Sequence, residues 1–266
     1  MRWSNPGEAP IPVPSLVVLG FSLRPLRSLR DLCGEKPLIF ALLSLATLAS
    51  AQSAPGSPAN VAPSQSPAPV ILIDPAHGGS DAGAALNAAF PEKDVTLVIA
   101  RRLRQELATR GVQVQLLRDS DVTLSLDQRA AMVNASRPAL YIAIHATSQG
   151  SGVRLFTAML PVASANDNRG PFADWNSAQA SALPRSRLLA NQIAAAMQKS
   201  VFPVRSLSAA LRPLNNVVVP ALAIEIAPSS GDVSQLASSD FQQSVCAAFA
   251  SSIASVVPTL KAQVAQ

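Results

Sequence analysis

From Val70 onward the apolar residues alternate between short unbroken runs and longer stretches at helical spacing. Residues 70–74 are apolar up to Asp74, as expected of a strand buried on both faces. Over residues 92–110, Val95, Ile99, Leu103 and Leu107 recur at i+4 steps, which predicts an amphipathic helix stopped by Gly111. Residues 112–117 read as a second strand. Ser125 with Gln128 three positions on forms a capping box that opens a helix to about Ser136. Residues 139–144 and 153–159 are further strands. Residues 160–183, rich in Asn, Asp, Pro and Gly, are irregular. A helix over 184–199, a strand over 221–226 and a helix over 234–256 complete the pattern, the last with Phe241, Val245, Phe249 and Ile253 in register.

Strands separated by helices predict an α/β fold: a single domain with a mostly parallel central sheet flanked by helices on both faces. In such sheets a ligand site lies outside the carboxyl ends of the strands.

Upstream of Val70 the composition changes. Arg24, Arg27, Arg30 and Lys36 precede an apolar run over 38–48, and Ala49-Ser50-Ala51 follows as a small-x-small cleavage pattern. Residues 1–51 therefore read as an export signal with an extended N-terminal region, and an uncleaved anchor is the alternative. Residues 52–69, rich in Pro, Ala and Ser, have too little apolar surface to fold and read as a disordered linker. The catalytic domain is expected over 70–260, and the protein is expected to be exported to the periplasm or cell envelope, as a monomer.

The net charge is +5, and part of the basic excess falls in the first fifty residues. No Lys/Arg run or aromatic-interleaved stripe follows, which argues against nucleic acid and suits an anionic polymer. Cys246, flanked by apolar residues, reads as a buried thiol and not as a nucleophile.

The chain has only two histidines, and each follows an apolar strand-like run: His77 after 71–74 and His145 after 140–144. Imidazole is the commonest metal ligand, and strand ends can converge on one ion. A catalytic zinc usually takes three protein ligands and keeps a fourth position open. Glu92 is the candidate third ligand, although a carboxylate at a helix start is also favoured by the helix dipole. Glu225 interrupts the apolar strand Ala221–Ile226. A carboxylate there has to face a metal or base pair, stand at the strand mouth, or form a buried salt bridge with an arginine. Beside zinc it could take a proton from water and deliver it to a leaving group. Asp74, Asp81, Arg118 and Asp119 read as loop-bonding groups and Arg129 as a structural ion-pair partner. Phe172 and Trp175 read either as stacking groups or as a hydrophobic pin.

Five segments occur together in order: 73–84 (IDPAHGGSDAGA), 92–97 (EKDVTL), 124–126 with Arg129 and Asn134, 144–146 (IHA), and 220–225 (PALAIE). In these the chain resembles the zinc-dependent N-acetylmuramoyl-L-alanine amidases of the type 3 group, from about Val70 to the last helix. The resemblance implies an enzyme that detaches stem peptides from peptidoglycan, with Zn2+ held by His77, Glu92 and His145 and with Glu225 as the catalytic carboxylate. The sequence departs from the family pattern at Ala76 (commonly Gly), Ala143 (commonly Ser), Thr147 (commonly Asn) and over 226–230, so the substrate rim is expected to differ and Ala76 to restrict the backbone. Some relatives carry an inserted helix that blocks the site until an activator binds. Residues 160–183 show no clear amphipathic helix, and that control is not expected. Two other readings stay open: a zinc peptidase acting on another peptide, and a degenerate module that only binds peptidoglycan.

Overall fold

A computed structural model describes residues 68–87, 90–161 and 174–264. The chain divides into two compact units, 1–60 and 61–266, and every described residue belongs to the second. The expected export signal, all but the last two residues of the linker, and Phe172 lie outside the described residues.

Six strands form one sheet: β1 (Val70–Pro75), β2 (Gln113–Leu116), β3 (Leu140–Ala146), β4 (Gly152–Ala158), β5 (Val204–Ala209) and β6 (Ala221–Ala227), in the order β2-β1-β3-β6-β4-β5. β2, β1, β3 and β6 run parallel; β4 is antiparallel to β6, and β5 runs parallel to β4. The α/β fold with a mostly parallel sheet is therefore present.

Alternate residues of the strands feed two apolar layers. Ile71, Ile73, Ile142, Ile144, Leu222 and Ile224 pack against α1 (Glu92–Ala108), α3 (Leu183–Met197) and α4 (Ser239–Val264). Leu72, Tyr141, Ala143, Ala221 and Ala223 pack on the other face against α2 (Leu126–Ser136) and the turn at Leu214–Asn216. The first layer buries large aliphatic groups, whereas alanines line much of the second.

Three elements differ from the sequence expectation. β5 was not foreseen, because it is an edge strand whose middle four residues are all exposed and its apolar residues never form a run. Its ladder to β4 holds it, not burial. Before α4, residues Val233–Ala237 form a separate 3-10 turn, so the helix begins at Ser239 instead of 234. At its other end α4 runs through Pro258 to Val264. Pro258 is exposed, so the carbonyl it leaves unbonded can meet water, while Val256 and Leu260 stay buried on either side. α4 is long and apolar enough to cross a membrane, but its apolar side (Phe241, Val245, Phe249, Ile253) is taken up by the core.

The capping box forms as expected: the Gln128 amide donates to Ser125 Oγ at 3.2 Å and the Ser125 amide to Gln128 Oε1 at 2.8 Å. Replacing Ser125 by Ala is expected to destabilise the fold by about 1 kcal/mol. Thermal unfolding should register this as a fall of roughly 2–4 °C.

Candidate metal centre

β1 ends at Pro75, and the chain enters a left-handed turn at His77, whose φ is +62°. That conformation costs a non-glycine residue on the order of 1–2 kcal/mol and has to be imposed by its surroundings. Two buried arginines impose it. Arg118 donates to the carbonyls of Pro75, Ala76 and Lys93, each at 2.9 Å. Arg129 donates to the carbonyls of Pro75 (3.1 Å) and His77 and pairs with Asp74, which also accepts from the Tyr141 hydroxyl at 2.7 Å. The structural reading of Asp74, Arg118 and Arg129 is thus observed. Ala76 does not have a positive φ, so it imposes no restriction that Gly would relieve, contrary to the sequence expectation; its methyl is buried. Gly78, Gly79 and Gly83 are the glycines this loop requires, and Gly83 is the one that faces the site. With φ at +70°, a Cβ there would lie 2.6 Å from His77 Cδ2 and 2.8 Å from Glu92 Cβ.

Glu92 is the first residue of α1, which has no side-chain cap of its own. Its carboxylate is almost fully buried and accepts from the amides of Ala84 (3.0 Å) and Ala146 (3.1 Å). His145 Nδ1 lies 3.0 Å from Oε1, and His77 Nε2 lies 3.2 Å from Oε2. Burial pushes the Glu92 carboxyl up, but the hydrogen bonds from His145, His77 and Ala84 outweigh it and hold the group well below the usual carboxylate range. The bond to Glu92 raises His77, burial opposes it, and Asp81 adds to the rise from the other ring nitrogen at 2.9 Å. Asp81, expected only as a loop group, therefore also fixes the orientation of the His77 ring, as carboxylates behind metal-binding histidines do.

One donor atom from each of His77, Glu92 and His145 lies within 4.8 Å of the others. Zinc bonds of ~2.0–2.1 Å in a tetrahedron put neighbouring ligand atoms roughly 3.4 Å apart. The two His–Glu separations, 3.2 Å to one carboxylate oxygen and 3.0 Å to the other, are each close to that edge. Two imidazoles with one carboxylate are also the donor set of an open catalytic zinc site. The three residues fit the ion.

Glu225 is the Cα partner of His145 across the parallel β3–β6 ladder, so both side chains leave the same face about 4.8 Å apart. It pairs with Arg154 of β4, whose Nε lies 2.8 Å from Oε2 and whose Nη2 donates to the Gln149 carbonyl at 2.7 Å. Glu225 has an arginine partner, but the pair is not the buried salt bridge left open for it: with about a quarter of each side chain exposed, it stands at the strand mouth. Sequence reasoning missed Arg154. The signal was there, since Arg154 interrupts an otherwise apolar strand as Glu225 does, with opposite charge.

Cys246 is buried on α4 with Sγ 3.6 Å from the Ile99 carbonyl, and burial pushes its thiol up to about 12, which excludes a nucleophile at neutral pH. Trp175 is 43% exposed on a 3-10 helix (Trp175–Ser181), so it pins no core.

A doubly covered α/β sheet with His77 and His145 at the carboxyl ends of parallel strands and Glu92 at the start of α1 between them defines an α/β protein with a candidate metal-binding site. The family model described as N-acetylmuramoyl-L-alanine amidase, amidase type 3, matches residues 71–255, well over half of the chain, and the chain belongs to this family. Among curated relatives it is similar to the N-acetylmuramoyl-L-alanine amidase AmiC of Escherichia coli O6:H1, with 40% identity over 92 residues, 33% of this chain and 22% of the relative. It is also similar to the germination-specific N-acetylmuramoyl-L-alanine amidase of Bacillus subtilis, with 39% identity over 90 residues, 29% of this chain and 38% of the relative. The matched stretch thus spans about a fifth to two fifths of these relatives' own length. Among solved structures, AmiC2 of Nostoc punctiforme superposes with a TM-score of 0.56 at 23% identity, over 73% of this chain and 99% of that one. Ami1 of Mycobacterium smegmatis does so with a TM-score of 0.57 at 21% identity, over 74% and 100%. These two establish the fold.

Proposed function

We propose that this protein is an exported, monomeric zinc amidase that hydrolyses the amide between N-acetylmuramic acid and the L-alanine of peptidoglycan stem peptides, in wall remodelling or daughter-cell separation. The observation that carries this is the three-donor cluster with the Glu225–Arg154 pair in register beside it. Family membership supports the substrate, which the ligand set alone does not select.

His77, Glu92 and His145 would hold the ion. Zinc bound there supplies Lewis acidity to the amide carbonyl and to water. Arg154 occupies Oε2 of Glu225, leaving the other oxygen to accept the proton of the attacking water. Glu225 then delivers that proton to the departing amine nitrogen, so the nitrogen leaves neutral.

Digestion of purified sacculi by the full-length protein tests the reading. Free stem peptides should appear, disappear with a chelator and return with zinc. Cleavage confined to peptide bonds would instead make the protein a peptidase, and binding without any product would make it a wall-binding module.

A further inference from the structure

The row that begins at His145 does not stop at Arg154. Cα pairing continues from Glu225 to Arg154 and from Arg154 to Arg205 on the edge strand β5. His145, Glu225, Arg154 and Arg205 therefore stand side by side on one face. Like charges directly opposite on neighbouring strands destabilise a sheet unless something neutralises them. Glu225 supplies one negative charge to two guanidinium groups, and Arg154 already uses it together with the Gln149 carbonyl. Arg205 is exposed and has no hydrogen bond or ion pair among the described residues. Beside this charged row runs an apolar one, Ala143, Ala223, Phe156 and Leu207, in which Leu207 is 42% exposed.

We propose that Arg205 is a specificity-determining residue that binds a carboxylate of the peptide leaving group, with Leu207 supporting the aliphatic part of the same peptide. This rests on the amidase reading and extends it to the substrate's charge. Arg205 lies two strand spacings from Glu225, roughly 10 Å. An extended peptide advances about 3.3–3.6 Å per residue, so the carboxylate recognised is two to three residues beyond the cleaved amide. The protein is thereby a reader of stem-peptide charge: a free acid at that position is favoured over its amide.

The test uses two synthetic muramyl peptides that differ only in whether the second residue of the peptide carries a free carboxylate or a carboxamide. Wild type should prefer the acid by roughly fivefold in kcat/KM, the scale of one exposed ion pair. Arg205→Gln should lose this preference through KM, with kcat on the amide peptide unchanged, and Arg205→Glu should invert it. Binding of both peptides to the Glu225→Gln protein, with and without Arg205→Gln, provides the same comparison without turnover. Equal preference in wild type and Arg205→Gln would overturn the proposal while leaving the amidase reading intact. A wild type that neither cleaves nor binds either peptide would remove the amidase reading and this subsite with it.

Discussion

Replacing Glu225 by Gln is expected to lower hydrolysis of sacculi roughly 10²–10⁴-fold, the usual contribution of a positioned general acid–base group. Zinc content should not change, because Glu225 is not one of the three clustered donors. The amide keeps the shape of the carboxylate and still offers an oxygen to Arg154, which lies 2.8 Å away, so the strand mouth has no reason to rearrange. It cannot take a proton from water. The measurement is a rate of peptide release set against metal analysis on the same preparation. A variant that loses zinc together with activity would show that Glu225 acts through the metal site and not on the proton.

The second large effect is expected at Glu92. Its two oxygens accept from the amides of Ala84 and Ala146 and lie within 3.2 Å of both histidines. In Glu92→Gln an NH2 group replaces one oxygen and has to face a backbone N–H, leaving buried donors without an acceptor at a cost of roughly 1–3 kcal/mol. The carboxylate charge that holds the cation is also lost, and zinc affinity should fall at least about 100-fold, as competition with a chromogenic chelator would show. In the metal-free protein the stability difference should depend on pH in a definite way. Glu92 is depressed in the fold, so its contribution is present above the unfolded value of about 4.3 and lost as pH falls toward the folded one. His77 is raised, so its share is complete below the unfolded value of about 6.5 and lost as pH rises through the folded one. Thermal unfolding of chelator-treated wild type and variant should differ most between about pH 4.3 and 6.5. A gap of constant size from pH 3 to 9 would mean that charge contributes nothing.

The legible parts of the site are those where a residue type is rare or out of place. Two histidines in the whole chain, each after a strand, could be read without coordinates, as could a glutamate inside an apolar run. Glu92 needed the histidines beside it, since alone it looks like any acidic residue opening a helix. Arg154 stood out as a charge inside an apolar strand, but its partner, like the place of Arg205, depends on which strands are neighbours, and apolar periodicity reports neither strand order nor direction. The reversal of β4 and β5 relative to the other four strands was invisible for the same reason. β5 itself left no apolar signature, because an edge strand can be held by its ladder with little burial. The left-handed backbone of His77 also could not be read, since nothing in its own side chain calls for it.

Arg118 and Arg129 reach that backbone through the main-chain carbonyls of residues 75–77 and not through side chains. A carbonyl is the same acceptor whatever side chain its residue carries. The main-chain bonds that hold His77 are thus indifferent to the side chain at position 76, and an alanine can stand there without moving the ligand. Variation at position 76 and the placement of His77 are thereby separated, the placement resting on the carbonyls of residues 75–77 and the two arginines that grip them.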